Sequence, residues 1–218
     1  MARRSDGAGS VGTTEADATG ARADRPLSGE KAQRIIEAMR SNVARRGLAG
    51  ATFDQVARDA GVSRGLLHYY FGTKEHLLVQ AVRHDCELRL ASLRERLVAA
   101  KRADDFIALM AMDLQEGLTD DPDFTTLIFE MFTLARRNDE VALEFADLLR
   151  RTRETVTEIL TDAQGRGVVA LTADPASVTD VLFALADGFA LRILSEPERD
   201  FRDSIITAVR STRPLLGS

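Results

Sequence analysis

The sequence predicts an all-α chain of about nine helices: an N-terminal three-helix unit holding a helix-turn-helix, then a larger helical body. Three observations predict it. Apolar residues recur at helical spacing from about residue 30 onward. The gaps between those stretches carry Ser, Thr, Asn or Asp caps, or Gly and Pro. No stretch alternates convincingly as a strand would.

Taken in order, residues 1–27 are rich in Gly, Ala, Ser, Thr, Asp and Arg and lack an apolar period, so they read as a disordered arm. Arg3, Arg4, Arg22 and Arg25 are its side chains able to reach phosphate. From Glu30 the helical period begins, with Ile35, Ile36, Met39 and Val43 on one face and Arg34, Arg40, Arg45 and Arg46 mostly off it. Gly47 closes this helix as a glycine after the C-cap does. Thr52 then caps a short helix, and Gln55 three residues on completes a capping box. Val56 and Ala57 give it a small apolar face, which lets a second helix cross closely. Gly61 permits the positive φ of a tight turn, Val62 fills the corner and Ser63 caps the next helix, which runs to about Tyr70.

After Phe71-Gly72 a fourth helix reads continuously from Lys74 to about Ala100. The body continues with helices from Asp104 to about Gly117, Asp123 to about Arg137, and Asn138 to about Gln164. Asp174-Pro175 opens another, Asp as cap and Pro at the first helical position, which reaches about Leu194. A last helix covers about Glu198 to Thr212 and stops at Pro214. The expected organisation is an arm over 1–27, a reading head over 28–85 with its helix-turn-helix at about 52–71, and a body over 86–218.

A helix-turn-helix lays its second helix in the major groove of DNA. At 100° per residue Leu67 points to the core with Phe71 beside it, leaving Gly65, Leu66, His68 and Tyr69 on the DNA face and Arg64 at the N-terminal end. Arg64 could fork onto the O6 and N7 of a guanine, worth about 1–3 kcal/mol of discrimination. Leu66 offers an apolar surface suited to a thymine methyl, and the free amides behind Ser63 suit phosphate.

The run from Thr52 to Ala57, with Ala60-Gly61-Val62-Ser63, Gly65, Leu67, Tyr69-Tyr70-Phe71, Lys74 and Leu77, resembles the TetR family of bacterial one-component regulators. The resemblance covers roughly residues 28–85 and implies that Thr52, Tyr70 and Lys74 hold the phosphate backbone. It also implies a helical regulatory body of variable sequence. Two positions depart from the family pattern: a tyrosine is usual where His68 stands, and a small or hydroxylated residue where Leu66 stands. The expected protein is a sequence-specific transcriptional repressor, a homodimer on a palindromic double-stranded DNA operator, released by a small-molecule effector; the alternatives are a regulator without a ligand and a helical protein-interaction module. Dimer contacts are expected from the last two helices: Val178, Val181, Leu182, Leu185, Ala186, Phe189 and Ile193, with Ala184 and Gly188 as a small-residue strip, then Phe201, Ile205, Ile206 and Val209. A cavity implied by the resemblance would draw on Met110, Phe129, Phe132 and Phe183, side chains that at helical spacing serve more often as ordinary core. Asp187, set in the apolar stretch LFALADGFALRIL, is costly unless paired. Its expected partner is structural, with a polar or cationic ligand as the other possibility.

Charge supports the DNA reading. The chain carries a net charge of −5, yet residues 28–84 hold nine basic side chains against five acidic ones, leaving −9 on residues 85–218. Such a dipole would orient the molecule on a polyanion. The single cysteine, Cys86, excludes an internal disulfide and fits a reducing cytoplasm. No apolar run approaches the ~18 residues of a membrane span, and no signal-peptide stretch opens the chain. His76 and His84, eight residues apart, would stand ~12 Å apart on one helix, too far to share an ion. No nucleophile–base pairing or phosphate loop is visible, so neither enzyme activity, metal nor cofactor is expected.

Overall fold

The computed structural model describes residues 29–217; the expected arm and its four arginines lie outside the described residues. Among the described residues nine α-helices follow one another: α1 (Glu30–Gly50), α2 (Phe53–Ala60), α3 (Arg64–Phe71), α4 (Lys74–Val98), α5 (Ala103–Gln115), α6 (Pro122–Ala135), α7 (Asp139–Gly165), α8 (Pro175–Ser195) and α9 (Arg202–Ser211). A π-helical turn, Glu116–Asp120, joins α5 to α6, and a 3-10 turn, Arg213–Leu216, follows α9. Among the described residues there is no strand.

Local chemistry sets most boundaries. Thr52 Oγ1 accepts from the Gln55 amide while the Gln55 side chain accepts from the Thr52 amide, the reciprocal capping box expected at α2. Ser63, Thr73, Asp121, Asn138 and Asp174 accept from the amide three residues on and open α3, α4, α6, α7 and α8. Gly47, at φ 66°, kinks α1 before its last turn. A Cβ there would stand 2.9 Å from the Glu130 carboxylate, the movable end of a flexible side chain, so it is the positive φ that calls for glycine.

Two ends depart from expectation. α9 begins at Arg202 rather than near Glu198, because Glu196–Arg199 closes a separate turn and Phe201 is buried at the helix entrance. α1 runs on across its kink at Gly47 to Gly50, whereas α9 stops at Ser211, short of Pro214 as expected; Pro214 sits inside the 3-10 turn, whose Leu216 is buried.

Packing joins reading head to body. One cluster holds Ile35, Met39 and Val43 of α1, Val56 of α2, Leu67 and Phe71 of α3 and Leu77, Leu78 and Val82 of α4. The same cluster takes in Leu127 and Met131 of α6 and Val141, Phe145 and Leu148 of α7. A second surrounds Leu97, Phe106, Leu160 and Val209; a third holds Leu118, Ala190, Phe201 and Ile205.

Charges reinforce the same seam. Asp85 of α4, only 4% exposed, lies 3.0 Å from Arg40 Nε of α1. Arg40 Nη2 donates to both carboxylate oxygens of Asp121, at 2.8 and 2.7 Å, and Arg89 pairs with Asp121 while lying over the Phe124 ring, 4.1 Å from its centroid. Asp121 is also the α6 cap. Burial pushes the Asp85 carboxyl above its ordinary pKa despite Arg40. Burial acts the same way on Asp121, but its hydrogen bond to Arg40, with the charges of Arg40 and Arg89, prevails and holds it below.

Cys86, next to Asp85, is buried, and that burial, with the Asp85 charge second, pushes its thiol up to about 12. Alkylation by iodoacetamide at pH 8 is therefore expected to run at least about a hundredfold slower in the folded protein than after denaturation. Comparable rates in the two states would show that α4 opens there.

Candidate nucleic-acid interface

The interface is built by α2 and α3. α3 is anchored by Leu67 and Phe71, both buried, and shows its other side to solvent. Ser63, Arg64, Gly65, His68, Tyr69 and Tyr70 are exposed, as is Thr52 at the entrance to α2. Tyr69 is 71% exposed and meets Tyr70 edge-on, with ring centroids 5.1 Å apart. A Cβ on Gly65 would meet nothing within 4 Å. The fold therefore has room for a side chain there, although glycine costs a helix roughly 1 kcal/mol against alanine.

Two expected site residues sit differently. Leu66 is half-buried and packs against the core of the head, so it turns partly away from the face assigned to it. Lys74 Nζ donates to the carbonyl oxygens of Leu48 and Ala51, at 2.8 and 3.3 Å, and so binds the end of α1 to the start of α4.

Three contacts are missing from the sequence expectations. Arg64 Nη1 donates to Asp54 of α2 at 3.1 and 3.3 Å, and Arg64 Nε donates to His68 Nε2 at 3.2 Å. The second lies at helical i,i+4 spacing and was legible; the first spans a turn and was not. In the third, Asn42 Nδ2 of α1 donates to Asp59 of α2 at 2.8 Å, fixing the angle between them.

The five expected ligand residues do not gather round one described cavity. Met110 packs with the second cluster and Phe129 with the third. Phe183 is half-buried, and Phe132 is 48% exposed. Asp187 is exposed and finds no hydrogen-bond or ion-pair partner among the described residues, so the expected structural pairing is corrected: α8 turns it outward. One groove of about 320 Å³ lies between α5 and α9, lined by Ile107, Ala111, Met112, Ile206 and Arg210 among others. Another of about 240 Å³ runs between α4 and the π-helical turn, with Arg89, Arg96, Asp113 and Glu116. None of the five lines either.

The expected dimer surface is also corrected in part. Phe201, Ile205 and Val209 of α9 are buried in the chain's own core. The apolar and small side chains that α8 leaves exposed include Val181, Ala184, Gly188, Leu191 and Leu194.

Comparison with known proteins agrees with this geometry. The family profile described as bacterial regulatory proteins, tetR family, matches residues 35–81, and that of the BetI-type transcriptional repressor, C-terminal, matches residues 107–212. The chain is 38% identical over 69 residues to the HTH-type transcriptional regulator BetI of Rhizobium meliloti (strain 1021), a match spanning 32% of each protein. It is 24% identical over 163 residues to UidR of Escherichia coli (strain K12), covering 75% of this chain and 81% of that one. Its fold is similar to the transcriptional regulator FadR from Bacillus subtilis in complex with stearoyl-CoA, with a TM-score of 0.67 at 19% identity over 81% of this chain and 96% of the other. With head and body each matched over most of their length, this chain belongs to the TetR family of bacterial transcriptional regulators.

Proposed function

We propose that the protein is a sequence-specific repressor that binds a palindromic operator as a homodimer and leaves it when a small apolar or amphipathic molecule occupies the body. The observation that carries the reading is α3: locked from behind by Leu67 and Phe71, it presents Arg64, Gly65, His68, Tyr69 and Tyr70 together to solvent. The bare α-carbon of Gly65 suits close approach of DNA at a position where the fold itself asks for no glycine. Thr52, Ser63 and Lys74 stand at the helix ends, where amide dipoles and cations favour phosphate. Leu66 keeps a smaller part of the face, since it packs against the core of the head.

Dimerisation is assigned to α8, whose Val181, Ala184, Gly188 and Leu191 form an exposed strip with two small residues that allow helices to approach closely. FadR, a protein of similar fold, is seen in complex with stearoyl-CoA, which supports an effector-controlled body here. α4 and the Arg40–Asp121 seam would carry the effector's influence to α3. A cytoplasmic location follows from a DNA target, and among the described residues no helix is long and apolar enough to cross a membrane.

The test is selection of genomic fragments by the full-length protein, with light scattering on the complex. Enriched palindromes bound by two chains are expected, and Arg64→Ala or Tyr69→Ala should weaken specific binding at least about tenfold while barely changing non-specific binding. Failure to enrich any fragment at low salt would refute the function.

A further inference from the structure

We propose that His68 and Asp54 are positioning residues for Arg64, and that through it they set the preference at one base pair of each operator half-site. The proposal rests on the DNA-reading function above. Arg64 is the first residue of α3, and an arginine at an exposed helix start would ordinarily sample many rotamers. Here its guanidinium is held on two sides. Nη1 donates to both Asp54 carboxylate oxygens, and Nε donates to His68 Nε2.

The imidazole is itself held. Its Nδ1 lies 3.3 Å from the Gly72 carbonyl oxygen at the end of α3. A carbonyl oxygen only accepts and an arginine Nε only donates, so these two partners together match the tautomer with hydrogen on Nδ1 and the lone pair on Nε2. The ring also stands edge-to-face on Phe53, with centroids 4.8 Å apart and planes at 78°. Phe53 is buried at the start of α2, so the ring plane is referred to the core.

Both nitrogens of His68 are therefore occupied within the protein, which leaves the ring little to offer a base. Of the Arg64 nitrogens, Nη2 alone has no acceptor among the described residues. A rigid planar fork with one edge held loses less freedom on meeting its acceptor and tolerates fewer acceptor positions. Arg64 and Asp54 are both more than half exposed, and exposed pairs add little to stability. The arrangement thus has its effect on recognition, and thermal stability serves as the control.

The experiment is selection from a randomised operator library by the full-length protein, comparing wild type, Arg64→Ala, His68→Phe, Asp54→Ala and the double variant Arg64→Ala/His68→Phe. Phenylalanine keeps the ring on Phe53 and removes both nitrogens. Arg64→Ala should flatten the preference at one base pair per half-site. His68→Phe and Asp54→Ala should flatten the same base pair, each weakening the best operator about tenfold with Tm unchanged. The double variant should be no more than about twofold worse than Arg64→Ala alone. Loss of preference at a different base pair in His68→Phe would mean that His68 reads DNA itself and would overturn the proposal. An unaltered profile in His68→Phe, or in Arg64→Ala, would overturn it equally. A wild type that selects no sequence at all would instead refute the DNA-reading function.

Discussion

Arg40→Ala is expected to be among the most damaging single substitutions outside the apolar core, lowering Tm by about 6–12 °C. The change strands Asp85, buried in α4, and removes one of the two arginines on Asp121. Removing one partner of a buried pair costs about 3–5 kcal/mol. Arg40 keeps some contact with water, which places the loss near ~3 kcal/mol, and each kcal/mol moves Tm by roughly 2–4 °C in a chain of this size. The pH dependence follows from Asp85. Its folded pKa already lies above the ordinary value, so the folded state binds the proton more readily than the unfolded state does, and this group's contribution to stability falls as pH rises. Without Arg40 that pKa rises further. The defect should accordingly be largest at pH 8 and shrink toward pH 5, as Asp85 takes up its proton. Asp121, whose pKa is lowered, keeps its stabilising charge through that window. Adding Asp85→Asn to Arg40→Ala should recover at least about half of the lost Tm. A thermal melt of Arg40→Ala within about 2 °C of wild type at pH 8 would show that solvent already screens this seam.

Met131→Ala is the second large effect, at about 2–5 kcal/mol, because a fully buried side chain is cut back and leaves a cavity. Where the damage spreads is the more informative part. Met131 lies on α6, far along the chain from the recognition helix, yet shares its cluster with Leu67, Phe71 and Leu77. Amide exchange should quicken in α1 and α4 as well as in α6, and operator affinity should fall with it. Leu160→Ala, an equally buried change in the second cluster, should quicken exchange in α5, α7 and α8 first. Unchanged protection in α1 after Met131→Ala would mean that head and body hold separate cores.

What could be read from the residues was mostly what is decided within a few positions. The box of Thr52 and Gln55, the αL turn at Gly61 and the Ser63 cap each involve groups no more than about one helical turn apart, so their chemistry is written locally. The α8 start at Asp174-Pro175 is of the same kind. The late start of α9 was hidden because Phe201 is fixed by Ala190 and Ile205 in the third cluster, a tertiary contact that outweighs propensity near Glu198. Nothing in Glu116–Asp120 announces a π-helical turn. Arg40 stands 81 residues from Asp121, beyond any periodic pattern, and it read as one of several surface arginines. The tie from Lys74 to Leu48 and Ala51 was hidden because those two carbonyls belong to another helix end, more than 20 residues earlier. In the interface, burial of Leu67 and Phe71 followed from helical phase. The Asp54–Arg64 link did not, since it depends on the angle between two helices.

The core shared between head and body bears on how such a chain can be recombined. A crossover near residues 85–86 would set a foreign α6 and α7 against Leu77, Leu78 and Val82, and native packing tolerates mismatched volumes poorly. Whole bodies are therefore not interchangeable parts, even where the reading heads look alike. Substitutions around Phe106 and Leu160, or around Leu118 and Phe201, leave that junction untouched. Changes of side-chain volume are therefore absorbed more readily in those two distal clusters than across the junction.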